Sequence, residues 1–285
     1  DGAVAVAEKM KMPQIVIGLT IVAMGTSMPE FCVSFISALK GTSDLAVGNI
    51  VGSNIFNALL IVGVSALVAP METTVKKDIP FALVASALLL IMCLDGDISR
   101  LDAGILFVMF LIFMYMTLKG AKKQGADAEE AIEGEGKKPM ATWLSIVWIL
   151  VGLLCLIGGS NLFVEGATAV ATNLGVSEAV IGLTIVAGGT SLPELATSVV
   201  SARKGNSGIA IGNALGSNVF NILAILGITG MITPMTLKGI TYIDLSMLVI
   251  SIMLVWLFSF TKYKIERWEG AVLTAVFVGY IYSLL

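Results

Sequence analysis

An all-helical integral membrane protein built from two inverted repeats is the fold class that this 285-residue sequence predicts. Three observations carry it. The chain is 57% hydrophobic and only 13% charged, with a mean hydropathy of +0.96, whereas an ordinary globular domain carries about 25% charged residues. Apolar stretches recur between short polar breaks, each near the roughly 20 residues that a helix needs to cross a hydrocarbon core. Finally, a long segment of the chain occurs twice.

The apolar stretches lie at 13–39, 45–70, 79–94, 102–119, 142–171, 177–203, 208–233, 240–261 and 268–285, so nine full spans are expected. Residues 1–12 form an amphipathic stub too short to cross. The sequence opens on Asp1 rather than Met, which predicts that an N-terminal piece is missing and that the stub is a remnant of the first helix. Cytoplasmic loops are enriched in Lys and Arg, and alternating the loops places fourteen of the seventeen basic residues on one side, leaving Lys40, Arg100 and Lys238 on the other. The basic side is the cytoplasmic one on this reading. It contains residues 120–141, a Gly- and Ala-rich stretch of mixed charge that reads as a flexible cytoplasmic linker. A regulatory role for its acidic run is the competing reading.

The duplication has a fixed offset of 164 residues. IGLTIVAMGTSMPE at 17–30 returns as IGLTIVAGGTSLPE at 181–194, and AVGNIVGSNIFN at 46–57 returns as AIGNALGSNVFN at 210–221. Without a gap, 37 of residues 1–71 are identical to their counterparts in 165–235. The first copy starts in the first full span and the second in the sixth; an odd shift of spans makes the copies run in opposite directions. Inverted repeats place a transport site at their interface near the bilayer midplane. The chain therefore divides into a first repeat at 1–119, truncated at its N-terminus, the linker at 120–141 and a second repeat at 142–285. About 23 apolar residues upstream of the second copy lack a counterpart before Asp1, so matching halves would predict a five-plus-five parent.

Composition excludes much chemistry. There is no histidine and the net charge is −3, which removes His-ligated metals, Ser-His-Asp and Cys-His catalysis and a basic surface for nucleic acid. Cys32, Cys93 and Cys155 stand singly in apolar runs and read as small buried hydrophobes.

Of twenty acidic residues, only Glu30 and Glu194 fall deep inside apolar spans. A carboxylate at the bilayer centre costs a few kcal/mol and persists where it faces a partner or water. No Lys or Arg is placed to be that partner, so the missing positive charge is the cargo. Each glutamate ends a Gly-Thr-Ser-x-Pro run, with Gly25, Thr26, Ser27 and Pro29 in one copy and Gly189, Thr190, Ser191 and Pro193 in the other. Proline removes a backbone donor where glycine already weakens the helix, which predicts a broken helix whose carbonyls, with the Thr and Ser hydroxyls, are hard oxygen ligands. In the next span, Ser53 and Asn57 are four residues apart on one face, as are Ser217 and Asn221. Gly48, Gly52, Gly212 and Gly216 permit close helix approach. On its own GNxxGSNxFN is first a packing motif; beside the glutamates, its amides become neutral ligands.

These paired GTSxPE and GSNxFN motifs resemble the alpha-repeats of the calcium/cation antiporter superfamily, in particular its sodium/calcium exchanger branch of bacterial or archaeal type. The resemblance implies an inverted-repeat cation antiporter fold of ten helices. Glu30 and Glu194 would be carboxylates shared by Ca²⁺ and Na⁺. Thr26, Thr190, Ala23 and Ala187 would give backbone oxygens, Ser27, Ser191, Ser53 and Ser217 would line sodium positions, and Asn57 and Asn221 would occupy the centre. It further implies exchange of Ca²⁺ for Na⁺ across a cell membrane by alternating access, with no cofactor, no enzymatic activity, lipid and the two ions as partners, and a monomer sufficient in principle. Potassium-dependent exchangers typically carry Asp at the position of Asn221. Proton/calcium antiport is the alternative, although that branch usually shows GNxxE, often with His, where this chain has GTSxPE.

Overall fold

A computed structural model describes residues 13–72, 78–127, 142–261 and 263–284. The first apolar stretch yields α1 (Ile15–Thr26) and α2 (Met28–Leu39), which meet at 47°, followed by α3 (Ser43–Val68). Then come β1 (Met71–Glu72), α4 (Asp78–Asp95), β2 (Asp97–Ile98) and α5 (Arg100–Asp127). The second half begins with α6 (Thr142–Asn173) and repeats the pattern with α7 (Glu178–Thr190) and α8 (Leu192–Arg203), bent by 45°, and α9 (Ser207–Ile232). It ends with β3 (Met235–Thr236), α10 (Tyr242–Ser259), β4 (Lys264–Ile265) and α11 (Arg267–Leu284).

Among the described residues, five helices are long and apolar enough to cross a membrane, or seven if each bent pair is one span. The expected stub at 1–12 lies outside the described residues. Helix α5 continues into the expected 120–141 linker as far as Asp127; Ala121, Lys122, Lys123 and Gln124 all favour helix. Residues 128–141 lie outside the described part.

The two helices that carry GSNxFN form the centre. About four-fifths of an 18-residue apolar stretch of each is buried, 78% for α3 and 83% for α9, against 33% for α4 and 22% for α5. The halves interlock, with α9 packed along α1 and α3 along α7. Glycine is what lets them meet: a Cβ on Gly216 would stand 2.6 Å from the Cα of Leu19, and one on Gly212 would stand 2.6 Å from the carbonyl of Ile15. Gly52 lies equally tight against the Leu183 carbonyl, and Gly48 faces Ala179 and Gly182. The strands tie one half to the other. β1 pairs antiparallel with β4, setting Met71 opposite Ile265, and β2 pairs antiparallel with β3, setting Asp97 opposite Thr236.

Only Cys93 of the three cysteines is buried; Cys32 and Cys155 are exposed. The reading of all three as buried hydrophobes fails for those two because an apolar run in a membrane helix has no need of a protein neighbour when the surrounding lipid is itself apolar.

Candidate ion-binding site

The site begins at the two helix breaks. Ser27 sits between α1 and α2 with φ −83° and ψ 10°, and Ser191 sits between α7 and α8 with φ −84° and ψ 6°. Pro29 and Pro193 follow in the first turn of α2 and α8, where a missing N–H is tolerated. The same prolines have no N–H to offer the carbonyls of Gly25 and Gly189, so the chain cannot continue as one helix. The break puts Glu30 and Glu194 in the first turn of α2 and α8, at the end of the helix dipole that favours an anion. Both glutamates are 0% exposed.

A serine at such a position normally caps its own helix. Neither Ser27 nor Ser191 does. The Ser27 hydroxyl instead donates to Glu194 Oε1 at 2.8 Å, and the Ser191 hydroxyl donates to Glu30 Oε1 at 2.8 Å. The threonines cross in the same way. Thr26 Oγ1 lies 3.1 Å from Asn213 Oδ1, and Thr190 Oγ1 lies 3.1 Å from Asn49 Oδ1. Each asparagine braces the glutamate helix in its own half. Asn49 Nδ2 donates to the Glu30 carbonyl and to Ser34 Oγ, and Asn213 Nδ2 donates to the Glu194 carbonyl and to Ser198 Oγ.

At the centre, Asn54 Nδ2 donates to the Asn218 carbonyl at 3.4 Å and Asn218 Nδ2 returns the bond to the Asn54 carbonyl at 3.2 Å. These two residues are 164 positions apart, so their mutual bonds lie on the pseudo-twofold relation between the repeats. Beyond them, α3 and α9 each widen into a π-helical stretch, Phe56–Ile61 and Phe220–Leu226. Such π-turns occur often at functional sites, and here they carry Asn57 and Asn221.

Every expected side chain is buried: Thr26, Ser27, Glu30, Ser53, Asn57, Thr190, Ser191, Glu194, Ser217 and Asn221. Ser217 lies 3.4 Å from Glu194 Oε1, whereas Ser53 lies 3.3 Å from the Ala187 carbonyl and 3.5 Å from Thr190 Oγ1. The carbonyls of Ala23 and Ala187 are not free of hydrogen bonds as a simple helix break would leave them. They accept from Ser27 N at 3.0 Å and Ser191 N at 3.1 Å, and the hydroxyls of Thr26 and Thr190 stand 3.3 Å from them, with Ser53 Oγ a further donor to Ala187, so each would bind an ion only where a hydroxyl gives up its place. Six buried polar residues went unassigned in the sequence reading: Ser34, Asn49, Asn54 and their counterparts Ser198, Asn213 and Asn218. Their signal was present, since each pair is identical at the 164-residue offset and polar inside an apolar span.

Several buried polar atoms here have no hydrogen-bond partner, among them Glu30 Oε2, Glu194 Oε2, Asn57 Oδ1 and Asn221 Oδ1. An unpaired buried acceptor costs about 1–3 kcal/mol, and more when it is charged. Four such oxygens, two from each half and all at repeat-equivalent positions, are of the hard type that a cation such as Ca²⁺ or Na⁺ prefers. Among the described residues no three His, Cys, Asp or Glu converge on one point, so further ligands would be neutral oxygens. The ion pair between Lys264 and Glu72, at 3.4 Å, is a surface contact far along the chain from either buried glutamate.

The sodium/calcium exchanger protein family profile matches residues 1–119 and 144–285, which is nearly the whole chain. The chain belongs to the sodium/calcium exchanger family. It is 38% identical to the putative antiporter CaxA of Alkalimonas amylolytica, over 99% of this chain and 92% of that protein. It is 32% identical to the sodium/calcium exchanger MaX1 of Methanosarcina acetivorans, again over 99% of this chain and 92% of that one. The fold superposes on a solved structure of the sodium-calcium exchanger NCX_Mj, soaked with Na⁺ and Ca²⁺, with a TM-score of 0.82 and 32% identity, covering 100% of this chain and 91% of that one. As a member of the sodium/calcium exchanger family, the chain is a helical membrane protein whose relatives are transporters rather than enzymes.

Proposed function

We propose that this protein is a secondary antiporter that exchanges Ca²⁺ for Na⁺ across the cell membrane, at a midplane site shared by Glu30 and Glu194, by alternating access. The observation that carries this reading is the set of unpaired oxygens on Glu30, Glu194, Asn57 and Asn221. Family membership and the names of MaX1 and NCX_Mj point to the same pair of ions.

Exchange rather than leak follows from charge. Two buried carboxylates are neutralised by one Ca²⁺ or by several Na⁺. An empty site would have to pass through an occluded, low-dielectric state with about two uncompensated charges, which costs several kcal/mol per ion. The loaded forms therefore change sides far more readily than the empty one. If more than two Na⁺ replace each Ca²⁺, the cycle moves net charge, and each such charge is worth about 2.3 kcal/mol per 100 mV.

The nine-span arrangement with a cytoplasmic 120–141 segment has two supports. The basic residues divide fourteen to three between the alternating loops. The strand pairs join loops assigned to one side: β1 and β4 both fall in loops on the basic side, and β2 and β3 both fall on the opposite side. The repeats at 1–119 and 142–285 then act as interlocked halves around one site, not as separate bodies.

The test is ⁴⁵Ca²⁺ uptake into proteoliposomes that hold purified protein and are loaded with Na⁺. Uptake should follow the outward sodium gradient. Uptake that survives collapse of that gradient but follows an imposed proton gradient would replace sodium coupling with proton coupling.

A further inference from the structure

The site obeys the twofold relation between the repeats almost throughout. Ser27 to Glu194 is matched by Ser191 to Glu30, Thr26 to Asn213 by Thr190 to Asn49, and Asn54 to Asn218 by the reverse bond. One arm departs from it. Asn221 Nδ2 donates to Asn54 Oδ1 at 3.1 Å. The equivalent bond in the other half would run from Asn57 Nδ2 to Asn218 Oδ1, and both of those atoms are buried without any hydrogen-bond partner. A second asymmetry falls on the same helices: Ser217 turns toward Glu194, while its counterpart Ser53 turns toward the Ala187 carbonyl and Thr190.

We infer that Asn54 and Asn218 are positioning residues that hold the two site asparagines in turn, Asn54 gripping Asn221 in the state described and Asn218 gripping Asn57 in the oppositely facing state. This rests on the antiport reading. The physical argument is that an amide has one donor end and one acceptor end. When its Nδ2 is tied to Asn54, Asn221 must present Oδ1 to the site. Asn57 has no such tie, so no hydrogen bond holds its Oδ1 toward the site. In an inverted-repeat transporter the two facing states are related by exchanging the conformations of the halves. The bond made in one half and open in the other is then the bond that changes hands. A donor and an acceptor left unpaired in a closed interior form a costly pair, and joining them offsets the loss of the Asn221 to Asn54 bond, so neither state is strongly favoured.

The experiment uses the full chain in proteoliposomes and reads conformation, not transport. Spin labels are placed at two mirror pairs of exposed positions, Leu39 with Ile232 and Arg203 with Val68, and distances are measured by pulsed electron resonance in Na⁺ buffer. Asn54→Ala should shift the balance of the two states by about fivefold away from the one described, the scale of one buried hydrogen bond. Asn218→Ala should shift it by a similar factor the other way, and the double variant should return it near the starting balance. Shifts in the same direction, or none, would overturn the inference. If either alanine chain fails to fold, Asn54→Ser and Asn218→Ser, too short to reach the same atoms, carry the same expectation. Because the labels report with Na⁺ alone, a failure of Ca²⁺ exchange in the unsubstituted protein is recognised separately.

Discussion

Ser27 of the first half donates its hydroxyl to Glu194 of the second at 2.8 Å. The bond spans 167 residues of sequence and links the two helix breaks directly. Ser191 makes the same contact to Glu30, so each carboxylate is oriented by the opposite repeat, with one oxygen held and the other without a hydrogen-bond partner. In the proposed exchange it is this second oxygen that would meet the ion.

The first expectation concerns that free charge. Glu30→Gln and Glu194→Gln keep the size of the side chain and remove its charge. Each should lower Ca²⁺ exchange by roughly a hundredfold, the scale of about 3 kcal/mol for breaking one partner of a buried charge pair. Initial rates of ⁴⁵Ca²⁺ uptake in Na⁺-loaded vesicles measure it, and full exchange in either variant would remove that glutamate from the site.

Ser27→Ala and Ser191→Ala test the crossed bonds. A hydrogen bond to a charged group contributes about 1.5–3 kcal/mol, so each alanine should weaken apparent ion affinity by about tenfold or more. The two bonds have equal length, so both variants should lose affinity, with Ser27→Ala the milder because Ser217 also reaches Glu194 Oε1. Titrating Na⁺ inhibition and Ca²⁺ activation of exchange in the two variants checks it. A large loss in one with none in the other would contradict the symmetric arrangement.

Much of this site was legible from repetition. A glutamate inside an apolar span is conspicuous once, and its recurrence at a fixed offset singled out both Glu30 and Glu194, which the fold buries completely. The helix break was readable from Pro29 and Pro193, since the missing N–H acts within one turn. What stayed hidden was the part that depends on contacts across the chain. Asn49 and Asn213 read as components of a packing motif, and only the folded arrangement shows that they reach the carbonyls of Glu30 and Glu194. The π-turns in α3 and α9 were equally invisible, because an inserted residue in a helix leaves no fixed sequence signature. The exposed Cys32 and Cys155 were misread for a different reason. Apolar neighbours along the sequence cannot distinguish a face turned to lipid from a face turned to protein.

Close packing of the central helices gives a stability expectation with an internal control. Gly216→Ala would force a Cβ to within 2.6 Å of Leu19 Cα, a clash against backbone that cannot be relieved by a side-chain rotation. Overpacking of this kind costs about 1–3 kcal/mol. Gly104, by contrast, has nothing within 4 Å of the position its Cβ would take, and Gly104→Ala should be neutral or stabilising by up to about 1 kcal/mol. Thermal unfolding in detergent should place Gly216→Ala below the unsubstituted protein and Gly104→Ala at or above it. Equal midpoints for the two variants would contradict the helix crossing at Gly216.

Asn221→Asp asks whether the amide at the centre sets ion preference. Asn221 Nδ2 donates to Asn54 Oδ1, and its own Oδ1 is unpaired. An ionised aspartate has no proton to donate, so one of its oxygens would face Asn54 Oδ1, acceptor against acceptor, and the site would hold three carboxylates in place of two. Both changes call for an additional cation. The variant should therefore change the ratio of Ca²⁺ to Na⁺ affinity and make Ca²⁺ exchange depend on K⁺, which the unsubstituted protein should not require. Parallel ⁴⁵Ca²⁺ uptake with and without K⁺, each across a Na⁺ titration, gives the answer. If the variant matches the unsubstituted protein in both respects, Asn221 does not contact the transported ions, and its unpaired oxygen serves packing alone.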